Sequence, residues 1–513
     1  MSSEDVECSS KTKRLHFLLI PMMEQGHMIP MVDLARLLVA HDALVTFATT
    51  PVNLNRIRPI IDQAAATSLP IRFVELRFPV VDIGLSEGCE SIDLLPSVDL
   101  IFPFLNALSL LRDPLEAYLR IPDKAGWPKP ACLISDNVHH WTVDVARSLN
   151  IPRLIFHGPS CFFLLCDLLV NRHRAELEAA MAATSDGFTR LQGLPHPIRV
   201  SKHDVITLSP SDPDKSKFME TIRVAEESAD GVLVNSFMEL EPWYFERYRE
   251  EQSKPVWPVG PLSLYKEELD VKATRGKASS IDNKILFQWL DRQEVGSVVL
   301  VSFGSIIRNT MAQLYIELGH GLEASGRPFI WVVKKVVDKK VPRAEEWITK
   351  FEKRVEGRGM VIRGWAPQAV ILGHVAVGGF VTHCGWNSIL EAVATGVVMA
   401  TWPHFYDQFL NERLVVEVLK SGVAVGIEPT DYLDVEKFNE AEVKVRREEV
   451  ERVVDNLMGG GEAREERRKR ARELGKQARA AMEEGGSSWK GLQDVINYVS
   501  EHQRKYQEAN ISC

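Results

Sequence analysis

The chain has 513 residues, 45% hydrophobic and 26% charged, so it can bury a sizeable core, and disorder is excluded as its default state. Lysine and arginine number 61 against 70 aspartates and glutamates, a net charge of −9. That balance excludes the basic field a nucleic-acid binder needs to neutralise phosphates.

The opening, MSSEDVECSSKTKR, is polar. The apolar run behind it, Leu15 to Met23, is short and holds His16 and Pro21, so it reads as a buried strand rather than a signal peptide. Apolar runs then recur at Arg14–Pro21, Ala43–Thr50, Ile71–Phe78, Ala131–Ser135, Arg153–Gly158 and Gly231–Phe237. In the second half they fall at Ser297–Gly304, Phe329–Lys334, Gly359–Trp365, Gly378–His383, Val397–Trp402 and Gly422–Ile427. Alternating with longer amphipathic stretches, they predict parallel strands covered on both faces, hence an α/β chain with two doubly wound domains. The break is expected after VWPVGPL (Val256–Leu262), where the sequence turns polar and loses periodicity. The expected parts are an N-terminal domain over 1–257, a linker over 258–283, a C-terminal domain over 284–485 and a last helix over 486–513. Val443 to Arg479 reads as a solvated helix of mixed charge. Ser487 or Ser488 is placed to cap the last helix, which runs through Leu492, Val495, Ile496 and Tyr498.

No stretch reaches the about 18 consecutive apolar residues of a membrane-spanning helix, so stable membrane insertion is not expected. The seven cysteines are odd in number, widely spaced and without a C-x-x-C, which suits reduced thiols and a cytoplasmic protein. Three further patterns read as structural. Asp212-Pro213-Asp214 spells a D-x-D but lies in a Ser/Pro-rich stretch expected to be a surface turn. His139 and His140 are adjacent and lack a third metal ligand, and Cys161-x4-Cys166 sits in an apolar run that reads as packing.

The segment GGFVTH followed by CGWNSILEAVATG predicts a strand running straight into a helix that Gly396 stops. Such a junction aims unpaired N–H groups and a positive dipole end beyond the strand's carboxyl edge, a ready phosphate site. His383, Asn387 and Ser388 would add side-chain donors. Two blander readings stand beside this one: Ser388-x-x-Glu391 as a capping box, and His383 as a strand-end histidine with a satisfied partner.

The surrounding 44 residues, from Trp365 to Gln408, closely resemble the signature box of plant UDP-dependent glycosyltransferases acting on small molecules. The PMMEQGHMIPMVDLA start, the SD after a buried strand, VSFGS and NERL agree, so the resemblance covers nearly the whole chain. It implies a GT-B fold of two facing Rossmann-like domains, with the last helix crossing back onto the first. It also implies that Trp365 stacks on uracil, with the Ala366 backbone and Gln368 completing nucleoside recognition, and that Glu391 holds the ribose hydroxyls. His383, Asn387, Ser388 and Ser305 would hold the diphosphate, Trp386, Asp407 and Gln408 the sugar, and Gly385 stands among the donor-binding positions. Gln408 is similar to members that prefer UDP-glucose, and no arginine stands among the sugar positions. Val398, Gly373, Val375 and Asp407 depart mildly from the usual pattern.

The first strand ends in Glu24-Gln25-Gly26-His27, and Asp136 ends the strand of ACLIS, placing both at the same sheet edge. The resemblance implies that His27 is the general base and Asp136 its orienting acid, with no metal and no resident cofactor. An imidazole of ordinary pKa cannot deprotonate an alcohol beforehand, so the proton would transfer as oxygen attacks the anomeric carbon. The expected reaction is inverting transfer of glucose to a small lipophilic acceptor such as a flavonoid, terpenoid, steroid, hormone or foreign phenol. The acceptor is expected against Pro79–Phe104, Val138–Trp141 and Phe156–Phe163, and the protein is expected to act as a monomer. A weakly catalytic UDP-sugar-binding sensor or scaffold is the alternative; a nicotinamide-dependent oxidoreductase lacks its glycine-rich turn.

Overall fold

The computed structural model describes residues 14–121, 126–265, 279–304, 312–333, 343–427 and 445–511. The apolar runs of the first half become β1 (His16–Ile20), β2 (Leu44–Thr49), β3 (Ile71–Glu75), β4 (Cys132–Asp136), β5 (Arg153–His157) and β8 (Gly231–Val234). A further strand, β9 (Val256–Pro258), joins them inside the stretch expected to end the domain. These seven form one parallel sheet in the order β3-β2-β1-β4-β5-β8-β9. A small antiparallel pair, β6 (Phe188–Arg190) and β7 (Arg199–Ser201), stands apart.

The second half builds a six-stranded parallel sheet from β10 (Val298–Ser302), β11 (Phe329–Val333), β12 (Gly359–Arg363), β13 (Val377–Thr382), β14 (Val398–Thr401) and β15 (Gly422–Ala424). Its order is β12-β11-β10-β13-β14-β15. Central strands such as β1, β4 and β10 are buried at every position, which is why they read as unbroken apolar runs rather than alternating ones.

In each sheet the strand order reverses once, between β1 and β4 in the first and between β10 and β13 in the second. Loops leaving the carboxyl ends of such a pair diverge to opposite faces and open a crevice. His27 follows β1 and Asp136 ends β4; Gly304 follows β10 and His383 follows β13.

Two C-terminal helices brace this arrangement. Glu462–Met482 carries charge outward and buries a line of small residues, Ala471, Gly475, Ala478 and Ala481. A Cβ on Gly475 would stand 3.0 Å from the Val393 carbonyl oxygen, so the helix lies directly on Trp386–Thr395. Arg479 donates to the Ala394 carbonyl at 2.8 Å, covering an end carbonyl of that helix. The last helix, Ser487–Ile511, buries Leu492, Val495 and Val499 against the first sheet, with Tyr498 edge-on to Trp257. The hydroxyls of Ser487 and Ser488 bond Glu239 and the Gly260 carbonyl, so they tie the helix to the N-terminal domain instead of capping it.

Candidate active site

On the N-terminal side, the chain leaves β1 through Pro21–Glu24 and enters the helix Gln25–Ala40, whose third residue is His27. Its Nδ1 lies 2.6 Å from Oδ2 of Asp136, whose side chain is 1% exposed, while the histidine keeps 30% exposure toward the interdomain cavity. Burial disfavours charge on both groups, but their mutual attraction and hydrogen bond prevail. Asp136 is held below its ordinary value, and His27, with Glu24 and Asp407 adding to the pull of Asp136, is raised to about 9. With Nδ1–H donated to the carboxylate, the lone pair of the neutral ring sits on Nε2.

On the C-terminal side, His383 is held between two glycines. A Cβ on Gly304 (φ +69°) would stand 2.4 Å from its Nε2, and one on Gly385 would stand equally close. Only residues without a side chain let the imidazole lie at the mouth of the Trp386–Thr395 helix. Cys384 between them adopts φ 65°, a left-handed conformation rare for a side-chain-bearing residue. It is fixed by Asn411, which donates to the Cys384 carbonyl at 3.0 Å and to Asp407 Oδ2 at 2.7 Å. Burial raises Asp407 to about 6, against the opposing effects of Asn411 and His27.

Gly385 is the N-cap of this helix, so Ser388 is its third residue and the Ser388–Glu391 capping box does not form. Both side chains instead meet Gln368, whose Nε2 donates to Ser388 Oγ and Glu391 Oε2 at 2.9 Å each. Trp365 is anchored by a two-way exchange with Ser280: its N–H donates to Ser280 Oγ at 2.9 Å, and the Ser280 N–H donates to its carbonyl at 2.8 Å. Ala366 is buried beside it. Gln408 uses Oε1 to accept from the His404 and Phe405 amides, leaving its NH2 as the available end. Ser305 lies outside the described residues.

Trp386 and Asn387 make contacts that their motif does not announce. The Trp386 indole N–H donates to the Asn235 carbonyl of the other domain at 2.8 Å. The residue is buried where the two domains meet and also lines the cavity. The Asn387 carboxamide donates to the carbonyl of Gly26 and accepts from Asn235 Nδ2 at 3.3 Å. The first turn of this helix is therefore bonded to the residue preceding His27.

His27 from the first domain and Trp365, Gln368, His383, Ser388, Glu391, Asp407 and Gln408 from the second line one cavity of about 2570 Å³. Of the segments expected to receive an acceptor, residues between Ile92 and Phe102, Val138, and residues between His157 and Phe163 contribute to its wall, as do the neighbouring Leu105 and Leu164. The helices Lys202–Leu208 and Pro213–Glu227 contribute as well, through His203, Ile206, Phe218 and Met219, and were not expected. Asp212 begins the second of these as its N-cap, accepting from the Lys215 amide at 3.0 Å, so the D-x-D is a helix start rather than a loop. His139 is buried, with Nε2 2.9 Å from the Pro21 carbonyl and Nδ1 accepting from Trp141 at 3.2 Å. Cys161 and Cys166 are buried in the core.

The family model described as UDP-glucoronosyl and UDP-glucosyl transferase matches residues 280–443. The chain is 44% identical to UDP-glycosyltransferase 73E1 of Stevia rebaudiana over 489 residues, covering 95% of this chain and 97% of that protein. It is 42% identical to UDP-glycosyltransferase 73C5 of Arabidopsis thaliana, covering 96% and 98%. Among solved structures, it is similar to Glycyrrhiza uralensis UGT73P12 complexed with glycyrrhetinic acid 3-O-monoglucuronide, with a TM-score of 0.85, 33% identity and 98% of each chain covered. Arabidopsis thaliana UGT89C1 complexed with UDP-L-rhamnose superposes with a TM-score of 0.72 at 28% identity, covering 95% of this chain and all of that one. The chain belongs to the plant UDP-glycosyltransferase family: it has the GT-B fold and transfers a glycosyl group from a UDP-sugar to a small acceptor.

Proposed function

We propose that the sugar is glucose, that the acceptor group is a hydroxyl of a small lipophilic molecule, and that transfer inverts the anomeric centre to give a β-O-glucoside. The 2.6 Å contact between His27 and Asp136 carries this reading. His27 shares one cavity with Trp365, Gln368, His383, Glu391 and Gln408, and Asp136 is buried behind it.

His27 Nε2 takes the acceptor proton as the oxygen–carbon bond forms, and the bond from the anomeric carbon to the β-phosphate oxygen breaks with its electron pair leaving on UDP. Asp136 holds the tautomer and stabilises the imidazolium. The departing diphosphate meets His383, Ser388 and the unpaired N–H groups of the Trp386–Thr395 helix, which develop their attraction without a metal ion. Trp365 offers its indole face to uracil, and Glu391, oriented by Gln368, accepts from the two ribose hydroxyls. The Gln408 carboxamide and Asp407 receive the sugar hydroxyls; a glutamine there and no arginine among these positions favour glucose over a uronic acid.

The apolar wall supports a flavonoid, terpenoid, steroid, hormone or phenolic acceptor. The complex of the Glycyrrhiza uralensis relative with glycyrrhetinic acid 3-O-monoglucuronide supports a bulky one. We place the activity in the cytoplasm, in a monomer. The test supplies UDP-glucose, UDP-galactose and UDP-glucuronic acid in parallel with a mixed acceptor panel, read by mass spectrometry. A one-hexose gain with UDP-glucose, β-linked by NMR, is expected; transfer of glucuronic acid in preference would overturn the donor assignment.

A further inference from the structure

Beyond the reacting pair, the cavity continues between two helices of the N-terminal domain, Cys161–Arg172 and Pro213–Glu227. The first lines it at Phe163 and Leu164, then Asp167 and Leu168, then Asn171 and Arg172, a single stripe at helical spacing. From Phe163 to Asn171 the stripe extends about 12 Å at about 1.5 Å per residue. Facing it, Phe218, Met219 and Ile222 give way to Arg223 and Glu226. The slot therefore carries both apolar and polar groups, and on its helix Asp167 stands between the apolar Phe163 and Leu164 and the polar Asn171 and Arg172.

The charges around Asp167 are committed elsewhere. His157 pairs with Glu226 at 2.9 Å, Arg172 with Glu251 at 2.7 Å and Arg223 with Glu220 at 2.7 Å. Among the described residues, the Asp167 carboxyl takes one hydrogen bond, from Asn171 Nδ2 at 3.0 Å, and no ion pair. Asn171 also donates to the Asp167 and Leu208 carbonyls, which fixes its amide, and Asp167 itself lines the cavity. Burial, with Glu226 nearby, raises Asp167 to about 7 against Arg223, His157 and Asn171, so near neutrality the group can donate as well as accept.

We propose that Asp167 is a specificity-determining residue that binds a second hydroxyl of the acceptor, while the first hydroxyl reacts at His27. An apolar body fills the stretch between Phe163 and Met219. The inference rests on the reading of this cavity as the acceptor site. A buried carboxyl in such a slot selects diols over mono-ols of the same ring system, because leaving it without a partner is penalised.

The test uses two matched pairs: estradiol against the analogue lacking its five-membered-ring hydroxyl, and para,para-dihydroxystilbene against the monohydroxylated stilbene. The wild type should favour the two-ended acceptor in kcat/KM by about 10- to 100-fold. Asp167→Leu should bring that ratio to within about threefold of one, and Asp167→Asn, which keeps an acceptor oxygen, should retain most of it. A wild-type ratio near one, an unchanged ratio in Asp167→Leu, or an equal fall for both members of a pair would overturn the assignment. NMR of the products separates the two claims: an α-linked glucoside with the ratios as expected would overturn the inverting reaction and leave Asp167 standing.

Discussion

Replacing Asp136 by asparagine removes its negative charge from His27 while keeping the shape of the side chain. Burial alone would hold His27 below the ordinary 6.5, yet Asp136, helped by Glu24 and Asp407, lifts it to about 9. A rise from 6.5 to about 9 corresponds to about 3 kcal/mol. The sign decides the profile. A raised value means the free site rests as imidazolium below about pH 9, and a base must be neutral, so kcat/KM should climb with pH through that region. In Asp136→Asn the ascending limb should move down by about two pH units, since Glu24 and Asp407 retain part of the effect. The plateau should fall by about 1,000- to 10,000-fold, because an asparagine N–H2 facing Nδ1 forces the proton onto Nε2 and leaves no lone pair for the acceptor. Initial rates of UDP release at subsaturating acceptor, taken across about pH 6 to 10, measure both effects. A limb that stays at its wild-type position in the variant would refute the electrostatic account.

Gly304→Ala places a methyl 2.4 Å from His383 Nε2 in a left-handed backbone, and should weaken UDP binding by about tenfold or more in a calorimetric titration. Glu391→Ala should raise the dissociation constant for UDP by about 10- to 100-fold, while leaving UDP lacking its ribose hydroxyls almost unaffected. Arg413→Met leaves Asp204, 2% exposed and paired with it at 2.9 Å, as an uncompensated buried charge. It should cost about 3 to 5 kcal/mol and lower the thermal midpoint, and adding Asp204→Asn should restore most of the loss. If the diphosphate is held by N–H groups and neutral side chains as proposed, chelator treatment should leave the initial rate within about twofold.

Much of this was legible in the amino-acid sequence, and the parts that were not share a cause. Fully buried parallel strands such as β1, β4 and β10 announce themselves as apolar runs, and that places His27 and Asp136 at one sheet edge. β9 escaped because it has only three residues and ends in Pro258, in the stretch expected to close the domain. The packing of Gly304 against His383, and of Trp386 and Asn387 against Asn235, joins positions far apart in the chain. No local pattern encodes such contacts. The helices Lys202–Leu208 and Pro213–Glu227 carry apolar stripes indistinguishable in sequence from core-facing ones; only the fold shows that the stripe of the second faces a cavity. Glu391 shows the converse: its spacing from Ser388 matches a capping box, but Gly385 takes the cap and frees the carboxylate for Gln368.

The account depends most on His27 as the base, and one comparison tests that directly. Wild-type protein and His27→Ala are titrated with UDP and then supplied with UDP-glucose and an acceptor taken from the panel. The account predicts UDP affinity within about threefold of wild type and transfer reduced by about 1,000-fold or more. Transfer by His27→Ala at a near wild-type rate, with UDP binding intact, would contradict it.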